Sequence, residues 1–194
     1  EGMSLNPPEK KMGWCGSDTR SVFFKDMHIP KSAVLGNPSK GFKQFLKTLT
    51  GGRITIGALG LGTAQGAFAR ALAYSQEREA FGKSINKFQG VSFKLSDMAT
   101  QIEAARHLVY HAAWKKDQGL PVIREAAMAK LFSSETAMQV TTEAIQVLGG
   151  YGYIKEYDVE RFFRDAKILE IGEGTSEVQR MIIAKELIQS VQNI

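Results

Sequence analysis

The sequence has 194 residues, 43% of them hydrophobic, and a net charge of +5 scattered in small groups. That is enough chain for one sizeable core plus a small appendage, and the dispersed charge suits small anionic ligands such as phosphates better than a nucleic-acid stripe. The single cysteine, Cys15, excludes an intrachain disulfide framework, and no apolar run approaches the roughly 20 residues that span a bilayer, so a soluble intracellular protein without a membrane partner is expected.

Residues 1–38 are turn-rich and strand-like. Pro7, Pro8, Gly13 and Gly16 punctuate the start, Thr19–Lys25 carries β-type residues, and His28-Ile-Pro30 and Gly36-Asn-Pro38 are expected to be turns. One or two strands make no independent sheet, so this stretch is expected to be the edge of something larger.

From Phe42 the signal becomes helical. A first helix, Phe42 to Gln76, is rich in small residues (Gly57, Gly60, Gly62, Ala64, Gly66, Ala67) that permit close packing. After a loop, Val91, Leu95, Met98, Ile102, Ala105, Val109 and Ala112 recur at spacings of 4 and 3, one apolar stripe along a long helix. A further stripe runs Ile123, Ala127, Leu131, Ser134, Met138, Thr141, Ile145, Leu148, with Pro121 expected in the first turn and Gly149-Gly150 at the stop. The last helix, Ser176 to Gln189, is expected to turn Met181, Ala184 and Ile188 inward. The expected fold is mainly α: an up-down four-helix bundle over residues 39–194, preceded by a short β remnant over residues 1–38.

Three places carry chemistry. In the loop Gln76–Gln89, Arg78 and Lys83 flank Phe81-Gly82, and Gln89 opens a helix. Guanidinium donors beside an aromatic and a helix N-terminus suit a phosphate or pyrophosphate; a solvated basic loop with Phe81 as a buried plug is the alternative. In Gln146-Val-Leu-Gly-Gly-Tyr-Gly-Tyr153, glycines at a helix end fit either a Schellman-type stop or backbone kept thin for a flat ligand. In Ile171–Arg180, Glu173 stands between Gly172 and Gly174, ahead of a helix start where Ser176 and Gln179 have capping-box spacing. A carboxylate raised on a glycine turn can be an exposed general base or merely a solvated side chain. His107 and His111 have the i, i+4 spacing of a zinc pair, but with no glutamate between them and no third ligand, no metal site is expected.

Together these segments resemble the acyl-CoA dehydrogenases, most of all the short-chain or butyryl-CoA type. Arg78-Glu-Ala-Phe-Gly-Lys83, Gln146-Val-Leu-Gly-Gly150, Arg161 through Arg164-Asp-Ala-Lys167 and Glu173-Gly-Thr-Ser176 stand in that family's order and spacing. The resemblance implies that residues 1–38 are the tail of a middle β-domain and residues 39–194 a C-terminal helical bundle. It implies an FAD enzyme in which a base removes the α-proton of an acyl-CoA while the β-hydrogen leaves as hydride to the flavin, giving the trans-2-enoyl-CoA. The base falls on Glu173. Some relatives carry it instead directly before the arginine matching Arg53, and here that residue is Gly52, which cannot act.

Position by position, the resemblance assigns Arg78, Phe81 and Gln89 to the FAD pyrophosphate and adenine portion. Gln146, Val147, Leu148, Gly149 and Gly150 would line the nucleotide, and Thr175, Ser176 and Glu177 would touch FAD near the last helix. Thr50, Gly51, Gly52 and Arg53, with Gly174, would line the acyl-CoA site. The family also implies that the FAD contacts come from a neighbouring subunit of a homo-oligomer, dimer or tetramer. An electron-transferring flavoprotein is the implied acceptor, and bacterial cytoplasm or the mitochondrial matrix the implied compartment. The flavin ring is gripped largely by β-domain outside this sequence, which argues against activity of the stretch alone. A cofactor-free assembly module is the rival expectation; a DNA-binding relative would need a basic extension that this sequence lacks.

Overall fold

A computed structural model describes residues 2–192. Two short strands, β1 (Met3–Leu5) and β2 (Val22–Phe24), pair antiparallel with Met3 opposite Phe24 and Leu5 opposite Val22. Both are exposed along their length, as a two-stranded ribbon with nothing packed on it must be. The segment between them is tied to the helices by two polar contacts. The Trp14 backbone N–H donates to Asp165 at 2.6 Å, and Arg164 donates to the Met12 carbonyl at 2.9 Å.

Five helices follow: α1 (Gly41–Glu77), α2 (Gln89–Asp117), α3 (Ile123–Leu148), α4 (Val159–Ala166) and α5 (Ser176–Gln192). A two-residue hairpin, β3 (Glu79–Ala80) and β4 (Lys83–Ser84), joins α1 to α2. α3 is the central element, packed against α1, α2, α4 and α5. The glycines of α1 explain how closely α1 approaches it: a Cβ at Gly60 would stand 2.9 Å from the Ser133 carbonyl oxygen, and one at Gly57 would stand 3.3 Å from that of Ala129. The same pairs show α1 and α3 running parallel. α2 runs against them, its two ends fastened to the opposite ends of α3 by Lys94 with Glu143 and by Lys115 with Glu125 at 2.8 Å. The core between the three is mostly small side chains: Ala64, Ala67 and Ala71 from α1, Met98 and Ala105 from α2, Ala137, Val140 and Ala144 from α3.

The helical bundle and the β remnant are as expected, with three corrections. α3 is buried on a much wider face than one stripe, because elements cover it on several sides. Ala126, Ala129, Lys130, Ser133, Ala137, Val140 and Val147 are buried, while Ile123 is exposed. Pro121 precedes α3 rather than sitting in its first turn. In α5, Met181, Ala184 and Ile188 are exposed. Among the described side chains of α5, Ser176 and Gln179 are the buried ones instead, at the end of the helix that follows the Glu173 loop.

Candidate functional site

The loop before α5 is built on two successive left-handed residues, Glu173 (φ 56°) and Gly174 (φ 94°). Glycine adopts that conformation freely; a glutamate does so at a cost, and such residues cluster at functional sites. The capping-box expectation for Ser176 is corrected. Thr175 caps α5, its hydroxyl accepting from the Val178 N–H at 3.4 Å, and Ser176 is buried with its hydroxyl unpartnered. The Gln179 side chain turns back into the loop instead, donating to the carbonyls of Gly174 at 2.9 Å and Glu173 at 3.3 Å.

This backbone throws the Glu173 side chain out against the first half of α1. A Cβ at Gly52 would stand 2.6 Å from Glu173 Oε2, so the missing side chain is the space the carboxylate uses. Glu173 itself is exposed. Beneath it lies Arg53, 7% exposed, whose Nε has no hydrogen-bond partner. Burial opposes the charge on that guanidinium and the nearby Glu173 carboxylate favours it. Thr50 and Gly51 immediately precede Gly52 in α1. The Thr50 hydroxyl donates to the Leu46 carbonyl at 3.2 Å, and a Cβ at Gly51 would meet Lys116 Nζ at 3.1 Å. Gly52 and Arg53 are thus brought to the Glu173-Gly174 turn from an element far away in sequence, whereas Gly51 faces Lys116 of α2 and Thr50 bonds within α1.

A second site lies at the other end of α1. A cleft of about 480 Å³ is lined by Tyr74, Arg78, Ile85 and Ile154, with Val147 through Tyr151 along its floor. It joins Arg78 to Val147, Leu148, Gly149 and Gly150; Gln146 is exposed. α3 stops at Gly149, with φ 59° and ψ −134°. That is not the left-handed helical geometry of a Schellman stop but a region open essentially to glycine alone. Cβ atoms at Gly149 and Gly150 would meet nothing within 4 Å, so the backbone here is bare toward the cleft. Arg78 lies 5.9 Å from the Tyr151 ring, in an aromatic group with Tyr74 and Tyr157.

Phe81 is no plug. It is 96% exposed at the tip of the β3–β4 hairpin, where Phe81 (φ 51°) and Gly82 (φ 78°) form the two left-handed positions of the turn. Its ring is edge-on to Phe88 at 6.1 Å, and Lys83 sits 4.4 Å from the Phe88 ring. Gln89, exposed, is the first residue of α2. Glu177 is exposed in the first turn of α5, its carboxyl held low by its own backbone N–H and by the Thr175 hydroxyl. His107 pairs with Glu103 at 3.4 Å and His111 stacks on Trp114.

Sequence reasoning missed Lys130. This lysine of α3 is fully buried, and its ammonium donates to the Gly174 carbonyl at 2.8 Å. Its position four residues before Ser134, inside the apolar stripe, was the available signal. Tyr74, Ile85 and Ile154 were missed as well; nothing local distinguishes them from packing residues.

A long, glycine-notched helical bundle with a carboxylate loop at one end and an aromatic, glycine-floored cleft at the other defines a class, and the comparisons agree on it. Residues 39–188 match the family model described as the acyl-CoA dehydrogenase C-terminal domain. The chain is 48% identical to the mitochondrial short-chain specific acyl-CoA dehydrogenase of Homo sapiens, over 99% of this chain and 47% of the relative. It superposes on butyryl-CoA dehydrogenase from Megasphaera elsdenii with a TM-score of 0.94 at 51% identity, covering 96% of this chain and 49% of that one. A solved structure described as the electron-transferring flavoprotein of Acidaminococcus fermentans holds a chain matched with a TM-score of 0.94 at 50% identity, over 96% of this chain and 49% of that one.

The chain belongs to the acyl-CoA dehydrogenase family. It spans about half the length of the relatives it matches. Among the described residues, no helix is long and apolar enough to cross a membrane.

Proposed function

We propose that the protein carrying this chain oxidises a short-chain acyl-CoA to the trans-2-enoyl-CoA with FAD, and that Glu173 is the base. The observation that supports this is the Glu173 carboxylate held on a left-handed turn over the side-chain-free face of Gly52, with the unpaired Arg53 Nε buried beside it. A buried donor without a partner is costly, and it is the kind of group that a substrate's polar atoms satisfy. In this proposal Arg53 anchors the polar part of the substrate, and Thr50, Gly51, Gly52 and Gly174 keep the α1 surface low enough for the acyl-thioester to lie across it. Glu173 then takes the α-proton onto its carboxylate. Its backbone N–H binds the thioester carbonyl and favours the negative charge that develops there. Bound flavin supplies the acceptor for the β-hydrogen, taken as hydride.

The cleft at the far end fits the nucleotide portion of FAD. Arg78 offers a fork of donors for pyrophosphate, the bare Gly149-Gly150 backbone admits close approach, and the aromatic group gives a flat ring a face to lie on. Phe81 and Gln89 extend this surface outward, with Gln146 at its rim. Thr175 and Glu177 reach FAD from the start of α5, with Ser176 contributing only backbone because its side chain is buried. Gly52 and Arg78 are 26 residues apart on and just beyond α1, about 39 Å at ~1.5 Å per residue, farther than one dinucleotide reaches. The two ends therefore serve different flavins, and the cleft holds the cofactor of a neighbouring copy. This supports a homo-oligomer, dimer or tetramer. The Acidaminococcus fermentans structure supports an electron-transferring flavoprotein as the acceptor.

The test is an absorbance spectrum of the purified protein, followed by addition of butyryl-CoA. Flavin absorbance that bleaches with substrate in the native protein and not in Glu173→Gln is expected. A colourless, self-associating protein would leave only an assembly module, and bleaching in Glu173→Gln would overturn the base.

A further inference from the structure

We propose that Lys130 is a positioning residue: from inside α3 its ammonium, together with the Gln179 amide, clamps the Gly174 carbonyl and so aims the Glu173 carboxylate at the face of α1 beside Gly52. The inference rests on the proposal that Glu173 is the base, and gives that proposal its mechanical support.

Lys130 has no exposed surface, and among the described residues no carboxylate lies within ion-pair distance of it. Its neighbours on α3 are Ala126, Ala127, Ser133 and Ser134, all buried. A lone ammonium in such surroundings is expensive, and burial pulls its pKa down, with the charge of Glu170 opposing. A methionine would fill the same space without that cost. What the ammonium gains is one charge-assisted hydrogen bond, 2.8 Å long, to the Gly174 carbonyl.

The same oxygen receives a second donor. Gln179, also fully buried, gives its amide to Gly174 at 2.9 Å and to Glu173 at 3.3 Å, leaving its own Oε1 without a partner. Two buried side chains from different helices therefore converge on the two carbonyls of the left-handed pair. Left to itself, Glu173 would leave φ 56° for the ordinary helical or extended region. Holding both carbonyls inward keeps it there, and from this backbone the carboxylate reaches the bare face of Gly52. A residue that only filled space would need neither the charge nor the reach into this loop.

The experiment uses the flavin-containing enzyme that carries this chain, with Lys130→Met, which keeps the volume and removes the donor, and Gln179→Met as the second variant. With butyryl-CoA, Lys130→Met is expected to lower kcat about 10²-fold while KM and flavin content stay within about threefold, because the bound substrate is unchanged and only the reacting carboxylate is misplaced. Hydrogen exchange of the amides of residues 172–176 should speed up about tenfold or more, the loss expected for a charge-assisted bond, with α1 and α2 unchanged. Gln179→Met should show the same pattern more weakly. Unchanged kcat and loop exchange in Lys130→Met overturn the proposal. If Lys130→Met does not fold, unchanged loop exchange in Gln179→Met overturns it. Glu173→Gln measured alongside separates the two ideas: if it turns over normally the base assignment falls, while loop exchange still decides the clamp.

Discussion

Gly52→Ala should leave the stability of this protein nearly unchanged and make it less active. Gly52 lies inside α1, where a glycine costs roughly 0.5–1 kcal/mol relative to alanine through lost backbone entropy. The three nearest heavy atoms that an added methyl would meet all belong to the Glu173 carboxylate: Oε2 at 2.6 Å, Cδ at 2.9 Å and Oε1 at 3.3 Å. No backbone has to move. Ordinary contact begins near 3.4 Å, so Oε2 must retreat by about 0.8 Å. The carboxylate is the mobile end of an exposed side chain, and an off-rotamer adjustment there costs about 0.5–1.5 kcal/mol at most. The net change lies within about 1 kcal/mol of neutral, a shift in Tm of no more than roughly 4 °C for a chain of this size. Catalysis feels the same displacement directly: misplacing a reacting group by about 1 Å costs on the order of 10²-fold. Thermal melts and butyryl-CoA-dependent flavin bleaching, run on the same preparation, measure both. Full activity with the methyl in place would refute the position assigned to Glu173, and a large loss of stability would refute the account of Gly52.

Other consequences are as direct. Gly60→Ala should destabilise the bundle by about 1–2 kcal/mol despite the better helix former, because the methyl meets the Ser133 backbone at 2.9 Å and backbone cannot rotate aside; a denaturant titration measures it. Phe81→Asn suits the left-handed first turn position better than phenylalanine and should add about 0.5–1 kcal/mol, while lowering flavin content if the exposed ring packs on a cofactor. The pKa of Lys130 is lowered on folding by burial, so the unfolded chain binds more protons above the folded value. Stability should therefore rise with pH between that depressed value and the ordinary lysine value near 10.4, a rise that Lys130→Met abolishes. Toward acid the sign is the same, because the carboxylates concerned also have lowered folded values. Glu160 is held low by the Arg164 hydrogen bonds. Burial pushes Glu125 up, but the hydrogen bonds of Lys115 and Arg124 outweigh it and leave it low. Their stabilisation is present above about pH 4.3 and is lost as pH falls through the lower folded values, which urea midpoints measured from pH 6 to pH 3 would detect.

The periodic helices were legible in the sequence because each declares its buried face through local spacing. The α2 stripe from Leu95 to Ala112 is buried as expected, and Glu173 stood out between its glycines. The width of the α3 interface was not legible, since an alanine or serine says nothing of how many neighbours surround it. The inward face of α5 was misjudged for a related reason: the apolar Met181 and Ile188 are exposed, and polar Ser176 and Gln179 are the residues that are buried. What only the tertiary structure decided is the meeting of distant parts: Glu173 against Gly52, Lys130 and Gln179 on one carbonyl, Arg78 beside Gly149. Sequence periodicity is set by the geometry of a single chain segment. Such contacts depend instead on how helices remote in sequence come to lie against each other, and no local spacing encodes that.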